Sequence, residues 1–301
     1  MKRHVKLTVR TSAAVLFFLA GAACAALAQP AIVRVEKVPL AASRAWTMPQ
    51  WSRDGRTVYF TASDFNGIWS YSLASGRVRQ VTADRQSGYG FLLAPDGSEI
   101  VYRRTLTDAR ARVRVQETVA QSLAGKGSRR VASGADLALP SIENVRPAAI
   151  PAERTVLLGI ETNKIAVMRE GKKLLLDPLG GDGRYIWPDL SPDGSRLVAY
   201  DMERGTFVCG SDGTNPVRLG RRNAAVWTRD GRWLVYMADR DDGHRVTASE
   251  LAMVSPDGKT EVMLTASRSR AEMYPRCSPT EDKIVCSTVG GEILILTYRR
   301  G

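Results

Sequence analysis

Arginine recurs along the chain in polar segments that also contain aromatic residues. A guanidinium group binds a carboxylate or phosphate through two parallel hydrogen bonds. If these segments met in the folded chain, they would form an anion-binding surface with the Arg, Tyr and Trp enrichment of protein interfaces. The predicted binding residues are Arg44, Arg85, Arg146, Arg184, Arg222, Arg270, Tyr185 and Trp187. Neighbours of the same types are Arg221, Arg268, Trp46, Tyr89 and Tyr274. Because arginine is frequent throughout the chain, chance placement on a solvated surface is the competing interpretation.

Residue constellations for catalysis or metal binding are scarce. The chain has no Gly-x-Ser-x-Gly nucleophile motif. His244 is the only histidine beyond the first 28 residues, which excludes a His-rich metal site, and its polar loop predicts an exposed side chain. In the same loop Asp239, Asp241 and Asp242 resemble calcium ligands, but Asp beside Gly is more typical of a solvated hairpin tip. We therefore expect no catalytic residue, no metal and no cofactor.

The arginine segments are separated by copies of one string, in which an Asp-Gly pair stands between two apolar runs. The copies are WSRDGRTVYF (51–60), LAPDGSEIVY (93–102), LSPDGSRLVA (190–199) and WTRDGRWLVY (227–236), with weaker copies at 148–159 and 277–287. Asp hydrogen-bonds the backbone two residues ahead, and Gly adopts the positive φ of a tight turn. The string therefore predicts strand, turn, strand, with structural turn residues Asp54, Gly55, Asp96, Gly97, Asp193, Gly194, Asp230 and Gly231.

The copies recur with a mean spacing of about 45 residues, the period of four-stranded propeller blades. Most copies are followed by a second pair of short apolar strands around a Gly-bearing turn. We therefore predict an all-β fold: one six-bladed β-propeller over residues 29–301, with four-stranded antiparallel blades. The sixth repeat has room for three strands, so an N-terminal strand at 32–38 is expected to complete that blade and remove an exposed edge. The blades are expected near 44–83, 89–132, 145–177, 185–220, 223–266 and 272–298.

This architecture would bring the arginine segments together. They are the connections that lead into the innermost strand of each blade, and in a propeller such connections emerge on one face, around the mouth of the channel. The aromatic residues at strand positions are instead expected to pack between blades, where burial of a large apolar side chain stabilises the fold by about 1.5–3 kcal/mol. These residues are Trp51, Trp69, Trp187, Trp227, Tyr59, Phe60, Tyr102 and Tyr236.

The repeats resemble the PD40 (WD40-like) repeats of the TolB-type propeller, a six-bladed domain of bacterial periplasmic proteins. The resemblance rests on the Asp-Gly strings together with RQVT (79–82) and EVMLT (261–265), and it covers roughly residues 44–298. It implies a propeller that docks a protein on one face of the ring. TolB carries an α/β domain before its propeller, and too few residues precede the first repeat here to hold one, so we expect that domain to be absent.

The first 28 residues have the pattern of a cleaved export signal. Four cations precede an apolar run, and small residues ending at Ala28 suit signal peptidase. We therefore expect a periplasmic protein without a transmembrane segment in the mature chain. Lipidation of Cys24 is the minor alternative. Although the formal net charge is +12, export argues against a nucleic-acid partner.

Two functions follow as hypotheses. The leading one is a non-catalytic module, monomeric on its own, whose Arg and aromatic face binds a protein partner of the cell envelope or another envelope polyanion. The alternative is a hydrolase or lyase that acts on an anionic saccharide, with channel carboxylates such as Asp189 or Glu272 as acid and base.

Overall fold

A computed structural model describes residues 29–108, 113–125, 127–145, 155–242, 244, 246–267 and 270–301. The predicted export signal, Arg146 and Arg268 therefore lie outside the described residues. In these ranges the chain forms antiparallel sheets and one short 3₁₀ helix, Ile142–Asn144. No helix in these ranges is long and apolar enough to cross a membrane.

The strands are short and follow one another in hairpins, as the Asp-Gly strings predict. In chain order they are β1 (Ala31–Lys37), β2 (Trp46–Trp51), β3 (Thr57–Ala62), β4 (Ile68–Ser72), β5 (Val78–Thr82), β6 (Leu92–Leu93), β7 (Glu99–Asp108), β8 (Val113–Ser122), β9 (Ser128–Gly134), β10 (Val156–Glu161), β11 (Lys164–Arg169), β12 (Lys172–Leu176), β13 (Tyr185–Leu190), β14 (Arg196–Asp201), β15 (Gly205–Gly210), β16 (Val217–Gly220), β17 (Asn223–Trp227), β18 (Leu234–Asp241), β19 (Val246–Val254), β20 (Glu261–Met263), β21 (Glu272–Cys277), β22 (Lys283–Thr288) and β23 (Ile293–Arg299).

The strands form six sheets, which confirms the six-bladed propeller. Blades 1 to 6 are β2–β5, β6–β9, β10–β12, β13–β16, β17–β20, and β21–β23 with β1. The first strands of neighbouring blades contact one another, as β13 with β17 and β17 with β21, so they are the innermost strands around the channel. Blade 3 shows three strands in the described part of the chain, and its predicted first strand falls in 146–154, outside that part.

The N-terminal strand closes the ring. Strand β1 pairs antiparallel with β23, from Ala31 opposite Arg299 to Lys37 opposite Leu294. It occupies the outer position of blade 6, one residue earlier in the chain than predicted. This pairing satisfies the hydrogen-bonding edge that β23 would otherwise expose.

The core lies between adjacent blades. Trp46, Phe60 and Trp69 of blade 1, for example, pack with Val285 and Ile295 of blade 6. The aromatic residues that the sequence assigns to the core are buried with one exception, Trp187, which is half-buried. Sheet-to-sheet packing of this kind fixes the blades as a ring, so loops from distant parts of the sequence have defined neighbours.

The Asp-Gly turns share one geometry. In the turn of blade 4, Asp193 Oδ1 accepts hydrogen bonds from Ser191 Oγ (2.6 Å) and from the Ser195 N–H (3.1 Å). Gly194 has φ +72°, which a residue with a Cβ rarely adopts. The equivalent Asp54, Asp96 and Asp230 accept corresponding bonds from the residue two positions ahead.

Strand alternation gives the ring two distinct faces. The Asp-Gly turns, between first and second strands, lie on one face, which we call the turn face. The loops between second and third strands lie on the other together with the connections between blades, and we call it the connection face. Two hairpins on the connection face are longer than the others, β7–β8 in blade 2 and β18–β19 in blade 5. In a ring of six blades these two stand opposite each other across the channel mouth.

Candidate functional site

The innermost strands carry a recurrent bulge near the connection face. Met48, Trp187, Ala224 and Tyr274 have φ between +50° and +54°, and the register with the second strand slips at each of them. A bulge bends the strand and redirects the side chains beyond it. Three of the four residues precede a proline, as in Met48-Pro49, and proline suits a bulge because it donates no ladder hydrogen bond. The Pro-containing strings WTMPQW, YIWPDL and EMYPRC were the sequence signal for this feature.

The bulge at Trp187 fixes the position of one predicted binding residue. Its ring packs edge-on against Tyr200 at a centroid distance of 5.7 Å. Beyond the bulge, Asp189 Oδ2 accepts the Trp227 N–H at 2.9 Å and so joins blade 4 to blade 5. Burial raises the pKa of Asp189 to about 6, although the nearby Arg276 charge opposes that rise.

Three predicted arginines are engaged with neighbours rather than directed at the channel mouth. Arg222 Nε donates to Glu261 Oε1 at 3.1 Å, and its guanidinium lies 5.6 Å from the Tyr236 ring. Arg184 pairs with Glu203 at 3.0 Å. The guanidinium of Arg44 lies 5.4 Å from the centre of the Trp69 ring, a cation–π contact.

Tyr185 belongs to the core rather than to an exposed surface. It is 1% exposed, packs against Phe207, and its hydroxyl donates to Asp177 Oδ1 at 2.6 Å. Burial raises the pKa of this phenol to about 12, and the Asp177 hydrogen bond acts in the same direction. In this arrangement Tyr185 holds the connection before blade 4 and is out of reach of a partner.

A large cavity lies on the connection face at blade 5, and we call it the blade-5 pocket. Its volume is about 990 Å³. It is bounded by the long β18–β19 hairpin, by the connection that enters blade 6, and by the loop between β22 and β23. Two of the predicted arginine connections meet here, since Arg221 and Arg270 both line the cavity. Sequence reasoning missed Arg240, which lines it from the end of β18.

The charges of the pocket wall are unevenly compensated. Asn223 Nδ2 donates to the two carboxylate oxygens of Asp239 at 2.8 and 3.0 Å, and Glu292 pairs with Lys37 at 2.6 Å. By contrast, within the described ranges the guanidinium groups of Arg221, Arg240 and Arg270 form neither an ion pair nor a side-chain hydrogen bond, and all three residues are exposed. The pocket therefore presents unsatisfied donors with positive charge.

A carboxyl pair lies at the edge of the pocket. Glu250 lines the cavity, while Glu272 is 2% exposed behind it. Thr265 Oγ1 lies 2.7 Å from Glu250 Oε2 and 3.5 Å from Glu272 Oε2. The Ser267 hydroxyl is within reach of Glu272 Oε1 at 2.7 Å and of the Arg270 carbonyl at 2.8 Å.

The hydroxyls of this cluster bridge several acceptors. Thr265 and Ser267 have one hydroxyl hydrogen each, yet each lies within hydrogen-bonding distance of two acceptors. Ser267 Oγ can donate to Glu272 Oε1 or to the Arg270 carbonyl, which ties Glu272 to the connection before blade 6. Burial raises the pKa of Glu272, the hydrogen bond from Ser267 opposes that rise, and the Glu250 charge adds to it.

The two carboxylates named from the sequence as acid and base do not form a pair. Glu272 begins β21 at the connection face, whereas Asp189 lies near the opposite end of β13. The described ranges contain no group of three or more His, Cys, Asp or Glu that could hold a metal ion. His244 is exposed in the β18–β19 loop.

The remaining predicted arginine connection, before blade 2, borders a second and smaller cavity of about 280 Å³. Asp64, Phe65, Gln86, Tyr89 and Arg103 line it, and we call it the blade-1 cleft. Arg85 precedes Gln86 in the same loop. The arginine connections thus border two separate cavities on one face, with Arg221 and Arg270 at the blade-5 pocket and Arg85 at the blade-1 cleft, whereas Arg184 lines neither.

Solved structures share this architecture at low sequence identity. An oligogalacturonate lyase in complex with manganese is 13% identical, with a TM-score of 0.53 over 88% of this chain and 93% of that one. A TolB from Agrobacterium tumefaciens is 15% identical (TM-score 0.37, 86% and 78% covered), and an oligogalacturonate lyase from Vibrio parahaemolyticus is 10% identical (TM-score 0.49, 87% and 93% covered). No protein-family model and no curated protein matches the sequence. At 13% identity, the likeness to the first lyase extends to the propeller fold alone.

Proposed function

We propose that the chain is an exported, periplasmic, non-catalytic binding module whose blade-5 pocket binds an acidic segment of a protein partner in the cell envelope. The observation that carries the proposal is the set of three guanidinium groups, of Arg221, Arg240 and Arg270, which within the described ranges form no ion pair or side-chain hydrogen bond and lie in the wall of a pocket of about 990 Å³. The export signal and the periplasmic location remain predictions from the sequence.

The wall chemistry favours an anionic ligand over a cationic one. Asp239, Glu250 and Glu292 already accept hydrogen bonds or pair with Lys37, so a bound cation would compete with these existing partners. A carboxylate that enters the pocket can instead bind the guanidinium groups of Arg221, Arg240 and Arg270. Within the described ranges, this breaks no existing ion pair or side-chain hydrogen bond of theirs. Hydrogen bonds to charged groups contribute about 1.5–3 kcal/mol when sheltered and less where salt and solvent screen them.

The test uses a fluorescein-labelled peptide of eight glutamates as the probe and fluorescence anisotropy as the readout. Each of the variants Arg221→Ala, Arg240→Ala and Arg270→Ala should weaken binding about three- to tenfold, and the triple variant should abolish it. The matched control is Arg79→Ala, which removes an exposed arginine from the rim strand β5. Equal weakening by the control, or binding by the triple variant at wild-type strength, would contradict the proposal.

The second candidate is a hydrolase or lyase that acts on an anionic saccharide in the same pocket. It is favoured by the Glu250 and Glu272 pair, because burial raises the pKa of Glu272, and neighbouring carboxyls in different environments can divide the roles of base and acid. Its arginines would neutralise a uronate carboxylate. In an elimination, Glu250 would take the proton next to the carboxylate as the glycosidic C–O bond breaks, and the leaving oxygen would receive a proton through Ser267, which Glu272 resupplies.

Polygalacturonate separates this candidate from the first. An elimination produces an unsaturated uronate with new ultraviolet absorbance, whereas hydrolysis produces reducing ends alone. Activity that Glu250→Gln abolishes while binding of polygalacturonate persists would favour the enzyme. Absence of both products at high protein concentration, with the eight-glutamate probe still bound, would leave the binding module.

A further inference from the structure

The blade-1 cleft has walls that suit one ring-shaped side chain. The rings of Phe65 and Tyr89 meet edge-on at a centroid distance of 5.1 Å, and Tyr89 is 45% exposed. Leu139, also 45% exposed, lies against Gly90 at the margin. Asp64, Gln86 and Arg103 supply polar groups around this apolar surface. A volume of about 280 Å³ is at the lower limit for ligand pockets, so it accommodates a single ring.

The backbone of the cleft is held in place before any ligand arrives. Phe65 and Gln86 have φ of +59° and +60°, a strained region for residues with a Cβ. The Phe65 carbonyl accepts the Gly88 N–H at 3.0 Å, and the Gln86 N–H donates to Asn66 Oδ1 at 3.0 Å. The Thr105 hydroxyl also donates to the Gln86 amide oxygen at 2.6 Å. Binding to a preformed cleft spares the entropy of ordering its loops.

The charge around the cleft is positive. The Arg85 side chain is exposed, and in the described ranges it forms no ion pair or side-chain hydrogen bond. Hydrogen bonds from Asn66 hold the pKa of Asp64 below its usual value, and the Arg44 charge contributes, so Arg44 lies near this margin. Arg103 donates to the Leu137 carbonyl, which leaves its positive charge uncompensated. Arg103 lines the cleft, Arg85 lies in its loop, and the Arg44 charge acts on Asp64, so acidic residues that flank a bound ring would meet positive charge.

The cleft and the blade-5 pocket open on the same face. Loops that follow second strands and connections between blades build both of them. The cleft lies between blades 1 and 2, and the pocket lies at blade 5 with part of its wall in blade 6. A polypeptide that crosses the channel mouth can therefore reach both cavities at once.

We infer that the blade-1 cleft is a second subsite, which takes an aromatic side chain of the same acidic polypeptide that the blade-5 pocket binds. The identity of the ligand rests on the proposed function, but the existence of the aromatic subsite does not. When one polypeptide carries both contacts, the second contact binds intramolecularly once the first is bound. The affinity therefore exceeds that of either contact alone. Aromatic anchors in pockets commonly dominate interfaces of this kind.

The first arm of the test compares the eight-glutamate probe with a series of labelled peptides. Each peptide of the series carries the same eight glutamates, a flexible Gly-Ser linker of graded length and a tryptophan. At the linker length that spans the channel mouth, the tryptophan should strengthen binding about tenfold. Tyr89→Ala should remove this gain and leave binding of the eight-glutamate probe unchanged. Leu175→Ala, which removes a side chain of 48% exposure from strand β12, is the matched control and should change neither.

The second arm uses N-acetyl-L-tryptophanamide alone and follows backbone amide signals by NMR. It should shift the amides of Phe65 and Gln86 in the wild type and in Arg240→Ala, but not in Tyr89→Ala. If these shifts occur and the eight-glutamate probe does not bind, the subsite is supported and the proposed function fails. The opposite result is that the eight-glutamate probe binds, the tryptophan peptides bind no more tightly at any linker length, and N-acetyl-L-tryptophanamide shifts no amide signal. The subsite is then overturned and the proposed function stands.

Discussion

At the scale of single residues, hydrogen-bond partners separate structural side chains from those available to a ligand. The turn aspartates each accept bonds within their own turn, as Asp193 does from Ser191 and Ser195. Arg222 and Arg184 are likewise committed to Glu261 and Glu203. Arg240 has no such partner in the described ranges and lines a large cavity. Residue type alone does not distinguish these cases, since the difference lies in which neighbours the fold supplies.

Asp193→Ala should lower the free energy of unfolding by about 1 kcal/mol, because the turn loses its hydrogen bonds. These bonds lower the pKa of Asp193 to about 2 in the folded protein, from 3.8. The contribution is therefore present above about pH 4 and disappears as the pH falls through 2. Urea unfolding at pH 7 and pH 3 measures both effects. Asp182→Ala, an exposed loop substitution, is the control, and an equal loss there would contradict the turn assignment.

Glu272→Gln should be well tolerated at acid pH and should stabilise the protein at higher pH. Because burial raises the folded pKa of Glu272, the wild type is most stable below the unfolded pKa and loses stability as the pH rises through the folded value. Glutamine keeps an acceptor for the Ser267 hydroxyl and cannot ionise, so this loss should vanish. The free energies of unfolding of the wild type and of Glu272→Gln, measured between pH 4 and pH 8, test this prediction. A variant that is destabilised at every pH would show that Glu272 is ionised in the fold.

At the scale of elements, the sequence was most informative where structure is decided locally. Asp-Gly strings predicted the hairpins because a turn depends on a few adjacent residues. The position of β1 followed from the room left in the sixth repeat. The length of the β18–β19 hairpin carried no comparable signal, so Arg240 was missed. The partner of Arg222, Glu261, is 39 residues away, and only the packing of blade 5 brings them together.

Strand β1 should be necessary for stability, although it lies at the outer edge of its blade. Deletion of residues 29–40 would expose the edge of β23 and remove Val38, which is 2% exposed and packs between blades 1 and 6. We expect a loss of about 3 kcal/mol or more, together with concentration-dependent association through the free edge. Thermal unfolding and light scattering measure these changes. A monomer of unchanged stability would contradict the role of β1 in closing the ring.

At the scale of the whole molecule, ring closure turns separate loops into one surface. Arg221 and Arg270 are far apart in the sequence, yet they line one cavity because blades 4 to 6 are adjacent. The repeat predicted that the connections between blades share one face. It did not predict that the arginines would divide into two groups at separate cavities. That division depends on the acidic and aromatic side chains that each blade places beside its own connection. The two long hairpins, β7–β8 and β18–β19, stand on opposite sides of the channel mouth. An extended partner could lie along the line between them.

Hydrogen–deuterium exchange with and without the eight-glutamate probe tests the central claim, that the connection face is the binding face, most directly. Protection is expected in 221–223, 239–242, 246–250, 263–267 and 288–292, the segments around the blade-5 pocket. The Asp-Gly turns at 52–56, 94–98, 191–195 and 228–232 should exchange as before. Protection of these turns, with the pocket segments unchanged, would place the binding surface on the turn face and contradict the account.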